Sequence, residues 1–506
     1  MSELGIVAAE SSTDRFPFFA SRPVRVGEYV VVETPDGEAL GFVEKSFIRS
    51  DLMATAKNYI AAMEASRASS ANPRDKGYEA SARVLGLVDR LRMGIAFMPS
   101  VPPVPGTTVA EASPELLSGI FSRTGRNFMS VGGLLRNPGV SVSVDVNMIA
   151  SRHLAILATT GSGKSNLLAL IAKRVSNVNG TMVIFDYHGE YSELRIGRAS
   201  HVQPRINPRT LEAEELAELL DVSGSASRQR SLLARVLTNE IREAQDFWEA
   251  LNNALNGVIN AEESDADDVR RARRLIEIIE RAVRRKGRIL DPDIGEPLDQ
   301  VRPNYINVID MAELTESQAS IIISYYLSGL LEDRKQAQRQ RMSGGEGRVR
   351  FPSPVIVAIE EAHAFLPADK QAMHEASSVA SKVAREGRKF GLSLIIVSQR
   401  PSRVDQDILS QMGSLAVMRI TQPKDQNYIL ESSELISEDL AGYLPSMNVG
   451  EAILLGQWVG LPSIVKVDKV EEKLTGADID AVKQWSEGQD RSGIAREDTS
   501  EFMKGV

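Results

Sequence analysis

A glycine-containing turn between a short apolar run and a helical pattern constrains this chain more than any other feature. The stretch from Leu154 to Arg174 reads LAILATTGSGKSNLLALIAKR. Its first four residues predict a buried strand, and the helical pattern starts at Lys164. Small residues allow consecutive backbone N–H groups to turn around an anionic oxygen, and the N-terminus of the following helix adds a partial positive charge. The stretch therefore predicts a strand, a phosphate-binding loop and a helix.

This loop carries side chains suited to hold a nucleoside triphosphate and its metal ion. Lys164 would reach the β and γ phosphates of ATP, and Ser165 would hold Mg²⁺. The predicted nucleotide-binding residues are Thr160, Gly161, Ser162, Gly163, Lys164, Ser165 and Asn166. The usual pattern starts with glycine, where this chain has Ala158. Because alanine disfavours positive φ, we predict an ordinary β conformation for Ala158 at the end of the strand. A glycine-rich turn without a ligand is the alternative.

The composition favours a multidomain globular protein without a membrane span. With 506 residues, 42% of them hydrophobic and 25% charged, the chain can form two to four domains. It has no long apolar run and no signal-peptide pattern. It also lacks cysteine, which excludes disulfides and cysteine-based metal sites and favours a cytoplasmic location. The net charge of −9 argues against binding nucleic acid through bulk charge, so any DNA contact must come from local clusters.

The pattern of apolar runs divides the chain into three parts. Residues 1–140 predict a small antiparallel β-barrel, with strands that include 82–88 and 94–97 and an inserted helix at 51–70. Residues 141–470 contain near-continuous apolar runs separated by helical segments, as expected of parallel strands buried on both faces. The predicted fold class is α/β: a RecA-like P-loop ATPase core with a helical insertion at about 209–300, whose sheet is closed at its edge by strands 452–456 and 462–467. Residues 471–506 form a charged tail, either a partner-binding arm or loose.

A pair of carboxylates follows the apolar run at 355–359. A parallel strand delivers such a pair to the sheet edge at which the phosphate loop also lies. Glu361 would orient and polarise the attacking water, and Glu360 would lie beside Mg²⁺ and reach it through water. Ser165 and Glu360 are therefore the predicted metal-site residues. Two exposed carboxylates at the start of a helix are the alternative.

Arginines and a glutamine near strand ends are candidates for contact with the transferred phosphoryl group. Arg385 and Arg388 lie ahead of the strand predicted at 392–397, Gln399 follows it, and Arg152 precedes the phosphate-loop strand. An arginine can neutralise the charge of the transition state, and Gln399 is suited to sensing the γ-phosphate. If one arginine comes from a neighbouring subunit, hydrolysis requires a ring. For each arginine, an ordinary helix-end or surface position is the alternative.

Five separated motifs resemble, in their order, the HerA family of the HerA/FtsK ATPases. They are ILATTGSGKSNLLALIAKRV, IFDYHGEY, VIVAIEEAHAFLP, REGRKFGLSLIIVSQRPS and GEAILLG. The resemblance covers most of residues 1–470 and identifies the N-terminal barrel with the HAS-barrel of this family. It implies a homohexameric ring that uses ATP and Mg²⁺ to move double-stranded DNA through its channel. It also implies action with a NurA-type nuclease in DNA end resection and recombination repair.

The same resemblance assigns roles within the chain. Lys164 and Ser165 would bind nucleotide, Glu361 would be catalytic, and Asp186, beyond the second core strand, would join the catalytic site. The three arginines named above would be candidates for cis and trans roles. The barrel would dock the nuclease, and the C-terminal tail would brace the adjacent subunit.

Two loops that follow core strands are predicted to contact DNA in the channel. Lys370 and Arg403 could bind backbone phosphates, although solvated loop charges are the alternative. Two other functions remain open. A conjugation-type ATPase would normally need a membrane-anchoring segment or a dedicated partner. A nucleotide-gated ring scaffold would recruit a nuclease or a defence effector without translocating. The chain has no evident nuclease motif, so cleavage would require another protein.

Overall fold

The computed structural model of the chain describes residues 3–72, 75–261, 265–286, 289–295, 297–344, 348–369 and 375–472. Within these residues it contains a closed β-barrel and an eleven-stranded mixed sheet. The predicted α/β class, with a P-loop core and an N-terminal barrel, is confirmed. Among the described helices, none combines the length and the apolar character needed to cross a bilayer.

The barrel consists of six antiparallel strands in the order β1-β2-β5-β4-β3-β6, and β6 pairs with β1 to close it. Their bounds are β1 Glu3–Val7, β2 Arg15–Ala20, β3 Tyr29–Thr34, β4 Gly37–Ser50, β5 Lys76–Leu87 and β6 Thr108–Glu111. Alternating side chains such as Phe16, Phe18 and Val30 fill its interior. Because closure removes free strand edges, the barrel can form on a short segment of chain.

Three predictions within the barrel region were wrong in detail. The predicted end at residue 140 lies too late, because the last barrel strand ends at Glu111 and Phe128–Leu134 form strand β7 of the core sheet. The helix predicted at 51–70 is two helices, α1 (Asp51–Ala54) and α2 (Tyr59–Ala71), because Asn58 caps a new helix start by accepting the N–H of Ala61. Residues 94–97 form no strand. They follow helix α3 (Val88–Arg92), and the N–H of Ile95 donates to the carbonyl of Arg90, so the backbone caps this helix end instead of joining a ladder.

The core sheet has the strand order β11-β12-β10-β13-β14-β9-β15-β16-β17-β7-β8. Its strands are β7 Phe128–Leu134, β8 Ser141–Asp145, β9 Leu154–Leu157, β10 Thr181–Asp186, β11 Ala199–Val202, β12 Ile306–Asp310, β13 Val355–Ile359, β14 Leu392–Ser398, β15 Ser414–Val417, β16 Glu451–Gly456 and β17 Ser463–Val467. The first seven strands in this order, from β11 through β15, are parallel to one another. From β15 onwards, neighbouring strands are antiparallel. The prediction that β16 and β17 close the sheet was wrong, because β17 pairs with β7 and β8 lies at the edge.

Helices cover the sheet and form the insertion. They are α4 Pro114–Phe121, α5 Val146–Arg152, α6 Lys164–Asn177, α7 Ala213–Leu219, α8 Ser227–Val236, α9 Asn239–Glu243, α10 Phe247–Asn260, α11 Ala266–Lys286, α12 Glu316–Ser343, α13 Ala362–Phe365, α14 Glu375–Glu386, α15 Gln406–Leu409, α16 Pro423–Ser432 and α17 Glu438–Tyr443. Helices α7 to α11 lie between β11 and β12 in the chain. Four parallel strands, β9, β10, β13 and β14, have their carboxyl ends on the same side of the sheet. There Leu157 pairs with Ser398 and Phe185 with Ile359. A ligand site is expected on that side.

Candidate nucleotide site

The phosphate loop leaves β9 in the conformation that its glycines allow. Gly161 and Gly163 have φ angles of +73° and +108°. Ala158 is fully buried and has no positive φ, and its N–H donates to the carbonyl of Ser398 at 3.2 Å. An ordinary backbone conformation for Ala158 was predicted. Because its φ is not positive, this position does not need the first glycine of the usual pattern.

Lys164 opens helix α6 and turns its side chain back over the loop. Its Nζ lies 3.4 Å from the carbonyl oxygen of Thr159, and the residue is 8% exposed. The hydroxyls of Thr159 and Ser162 lie 3.0 Å apart. Gly163 is packed so closely that an added Cβ would lie 3.1 Å from Cε of Met418. The loop therefore presents a cation and a helix N-terminus in one concave turn, as anion binding requires.

Asn166 lies in the first turn of α6, but its side chain binds the chain's own C-terminal segment. Its Nδ2 donates to the carbonyl of Asp468 at 2.9 Å, and its Oδ1 accepts the N–H of Val470 at 2.9 Å. Lys173 on the same helix forms an ion pair with Glu472. We name residues 468–472 the strap. The structure therefore gives the Asn166 amide a partner other than the nucleotide that the sequence suggested.

Glu361 follows β13 by two residues, immediately precedes the short helix α13 and has a strained backbone conformation. Its φ and ψ are 48° and 42°, a left-handed geometry that costs free energy for a residue other than glycine. The side chain is 4% exposed, accepts a hydrogen bond from Nε2 of Gln399, and has His363 Nδ1 at 3.2 Å. Oε1 of Gln399 in turn accepts the hydroxyl of Thr160. Gln399 thus connects the phosphate loop to Glu361.

A buried acidic cluster lies beside this pair. The hydroxyl of Tyr191 donates to Glu360 at 3.1 Å, and both side chains are almost fully buried. Burial, followed by the negative charges of Glu190 and Asp186, raises the pKa of Glu360 well above its usual value. The second oxygen of Glu360 has no hydrogen-bond partner among the described residues. A buried carboxylate oxygen of this kind fits a water molecule bound to Mg²⁺.

The carboxylate of Asp186 binds the turn that follows β10. It is fully buried, and its two oxygens accept the N–H groups of Glu190 and Tyr191 at 3.0 and 2.8 Å. Burial raises its pKa above the usual value despite these bonds. Asp186 therefore holds the turn that brings Tyr191 to Glu360. Its place in the site, which the resemblance implied, is indirect.

Two histidines and two arginines border a cavity of about 490 Å³ next to Glu361. Sequence reasoning did not select His188, His363 or Arg400, and it assigned Arg403 to DNA. Burial, with the charges of Arg400 and Arg403 next in importance, lowers the pKa of His363 to about 4. The only signal in the sequence was position, because His363 follows Glu361 by two residues and Arg400 directly follows Gln399.

Arg152, Arg385 and Arg388 lie near the amino ends of the parallel strands, opposite the end that carries the phosphate loop. Arg388 belongs to a 3₁₀ turn, Gly387–Phe390, that precedes β14, and α5, which ends with Arg152, packs against this turn. The seven residues of β14 span about 20 Å, which is longer than an arginine side chain. None of the three can therefore reach the phosphate loop of its own chain.

The turn that carries Arg388 is held by a buried arginine. Arg334 on α12 is 1% exposed and donates to the carbonyls of Phe390 at 2.9 Å and Phe351 at 2.6 Å. Burial lowers its pKa. These bonds attach the end of the turn to the long helix α12.

The two loops predicted to contact DNA pair with each other. Pro367 and Val404 form an antiparallel bridge, and the N–H of Ala368 donates to the carbonyl of Arg403 at 2.8 Å. Lys370 lies outside the described residues. Within the described part of the chain, no group of three or more histidine, aspartate or glutamate residues is arranged to hold a metal ion. A magnesium site here would thus depend on Ser165, Glu360, water and phosphate oxygens.

Comparisons with known proteins identify the family. The family model of the helicase HerA central domain matches residues 129–330. The DNA double-strand break repair helicase HerA of Saccharolobus solfataricus is 36% identical over 97% of this chain and 97% of its own length. The chain belongs to the HerA family. The protein of the same name from Sulfurisphaera tokodaii is 35% identical over 96% of this chain and 97% of its own.

HerA similarity extends well beyond the central domain, because both relatives cover nearly the full chain. The central-domain match contains the phosphate loop and Asp186 but ends before Glu361 and Gln399. A solved structure, VirB4 of Thermoanaerobacter pseudethanolicus, covers 70% of this HerA-family chain and 99% of its own, with 16% identity and a TM-score of 0.48.

Proposed function

We propose that this chain is an ATP-driven translocase that moves along double-stranded DNA as a homohexameric ring in DNA end resection and recombination repair. The proposal rests on two hydrogen bonds in a chain of the HerA family: the side chain of Gln399 bonds to Thr160 of the phosphate loop and to Glu361. These residues lie at the carboxyl ends of the parallel strands. Such a connection allows the state of the phosphate loop to be sensed by the residue that would activate water.

The proposed chemistry is hydrolysis of the terminal phosphate of MgATP. Lys164 contacts the β and γ phosphates. Ser165 and Glu360 would hold Mg²⁺, which would neutralise phosphate charge. Glu361 takes a proton from water as the water oxygen bonds to the γ-phosphorus. The bond to the bridging oxygen breaks, and its electron pair stays with ADP. Gln399 senses the γ-phosphate.

The positions of the arginines support a ring. Arg152, Arg385 and Arg388 lie too far from their own phosphate loop to act there, so each is a candidate only for the nucleotide of a neighbouring subunit. In a closed ring with head-to-tail interfaces, two different surfaces of neighbouring subunits meet, so the amino ends of the strands in one subunit can face the carboxyl ends of the strands in the next subunit. A site that is incomplete in one chain would then be completed by its neighbour.

Mixing two inactive variants tests this arrangement. Lys164→Ala and Arg388→Ala would each lose ATPase activity. In rings assembled from equal amounts of these two variants, about a quarter of the interfaces would combine an intact loop with an intact arginine and regain activity. Arg385→Ala is mixed with Lys164→Ala in the same way. If mixed rings stay inactive while each variant alone still forms rings, the arginine does not act across the interface.

DNA contact and nuclease docking belong to the same proposal. Arg403 is exposed on the paired loops that follow β13 and β14, where phosphate contacts would be independent of sequence and sensitive to salt. The barrel exposes Phe47, Ile48, Tyr59 and Ile60 on one long ribbon and its adjoining helix. An exposed apolar surface of this kind suits docking of a NurA-type nuclease. Residues 471 and 472 join the strap, and the rest of the predicted bracing tail, 473–506, lies outside the described residues.

The decisive experiment measures ATP hydrolysis with and without duplex DNA, together with displacement of a triplex-forming strand. A translocase shows DNA-stimulated hydrolysis and displaces the strand, and Lys164→Ala abolishes both. Lys173→Ala, on the same helix but paired with the strap, serves as the control and keeps both activities. ATP and nuclease binding without strand displacement would instead identify a nucleotide-gated scaffold.

A further inference from the structure

The cavity beside Glu361 includes Gln399 in its lining and no residue of the phosphate loop, 158–165. Glu361, Gln399, Arg400, Arg403, His188 and His363 are among the residues that line it. One end of the Gln399 amide bonds to Thr160 of the loop and the other to Glu361. Gln399 therefore contacts the phosphate loop and, together with Glu361, lines this cavity.

The cavity is lined by two carboxylates, Glu316 and Glu361, and by two arginines that form no ion pair with a described carboxylate. Neither Arg400 nor Arg403 forms an ion pair or a side-chain hydrogen bond with a described residue, and both are exposed. His188 is half-exposed beside them. Arginine forms bidentate hydrogen bonds with phosphate oxygens, so two such guanidinium groups favour a phosphate.

The backbone fixes the start of this arginine pair. The N–H of Arg400 donates to Oγ of Ser398 at 3.1 Å, and the N–H of Arg403 donates to the carbonyl of Arg400 at 3.0 Å. Arg400 thus follows Gln399 in a defined turn, and its side chain reaches the cavity directly behind the γ-phosphate sensor.

We infer that this cavity binds the inorganic phosphate released by hydrolysis, with Arg400 as its principal contact and with Arg403 and His188 at its rim. The inference rests on the proposed ATPase function.

Binding of inorganic phosphate to the complex of the full chain with ADP and Mg²⁺ tests the inference without requiring DNA or turnover. Phosphate affinity is measured by calorimetry and as product inhibition of the ATPase. Arg400→Gln is expected to weaken phosphate binding about tenfold or more, because it removes charge-assisted hydrogen bonds, while ADP affinity stays the same. Arg400→Lys should restore part of the loss.

Arg281→Gln is the matched control, since Arg281 is an exposed arginine of α11 far along the chain from this site. It should leave phosphate affinity unchanged. Equal phosphate affinity in Arg400→Gln and the parent chain overturns the inference, as does an equal loss of ADP and phosphate affinity. If the chain binds phosphate through Arg400 but DNA never stimulates hydrolysis, the translocase proposal fails and the phosphate site stands.

Discussion

Replacing Tyr191 with phenylalanine tests whether the buried cluster around Glu360 serves the metal. The variant removes a hydrogen bond of 3.1 Å between two almost fully buried groups and leaves both oxygens of Glu360 without a described partner. A hydrogen bond to an ionised group contributes about 1.5–3 kcal/mol, and one to a neutral group about 0.5–1.5 kcal/mol. The hydroxyl favours the ionised carboxylate, so the free energy of unfolding should fall more at high pH than at low pH.

Urea unfolding at several pH values and the Mg²⁺ dependence of ATP hydrolysis are the two measurements. Tyr191→Phe should raise the Mg²⁺ concentration needed for half-maximal rate, because Glu360 is no longer held in place. Tyr29→Phe provides a matched control: its hydroxyl is also buried, but it donates to the carbonyl of Pro462 at 2.9 Å, at the contact between barrel and core. If the two variants show the same pH dependence and neither changes the Mg²⁺ requirement, the role assigned to Tyr191 is wrong.

Three further substitutions separate structural from chemical roles. Burial raises the pKa of Glu360 above its unfolded value of 4.5, so stability is lost as pH rises through the folded pKa. At pH 8, Glu360→Gln should therefore unfold at a higher urea concentration than the parent chain, and this gain in stability should disappear towards pH 4.5. The variant should also hydrolyse ATP poorly. Lower stability than the parent chain at pH 8 would contradict the reasoning. Asn166→Ala should cost about 1–3 kcal/mol and speed hydrogen exchange at Val470, with nucleotide affinity changed less than tenfold. A larger loss of nucleotide affinity would show that the amide binds nucleotide. Arg334→Met leaves two carbonyls without their donor and should cost at least about 2 kcal/mol in unfolding experiments. A cost below about 0.5 kcal/mol would contradict this.

Local sequence signals predicted the phosphate loop and most strands of the core because their determinants lie within a few residues, but they did not predict β7 and β11. The run at 355–359, between Pro354 and Glu360, became β13 with those bounds, since a short continuous apolar run fits a strand that is buried on both faces. The loop was recognisable because its small residues, lysine and helix start are adjacent in the chain. The same local reading failed at 94–97, where a helix cap used the backbone groups that a strand would need.

The contacts that organise the site were beyond sequence reasoning because they join distant segments. Tyr191 and Glu360 are separated by 169 positions, and no periodicity relates them. Asn166 belongs to a nucleotide-binding motif, yet its amide pairs with a segment about three hundred residues later. The local pattern indicates which polar side chains a segment offers. Only the packing of distant segments decides which of these side chains already form hydrogen bonds within the chain.

Strand β14 connects the two halves of the proposed intersubunit site. All seven of its residues are buried, and it pairs on both sides, with β13 and with β9. Gln399 follows its carboxyl end at the chain's own phosphate loop, and the turn with Arg388 precedes its amino end. A strand paired on both sides and packed on both faces moves as a rigid unit, since bending it would break ladder hydrogen bonds and buried contacts. In the proposed ring, a shift of Gln399 on loss of the γ-phosphate would therefore also move Arg388 at the next nucleotide.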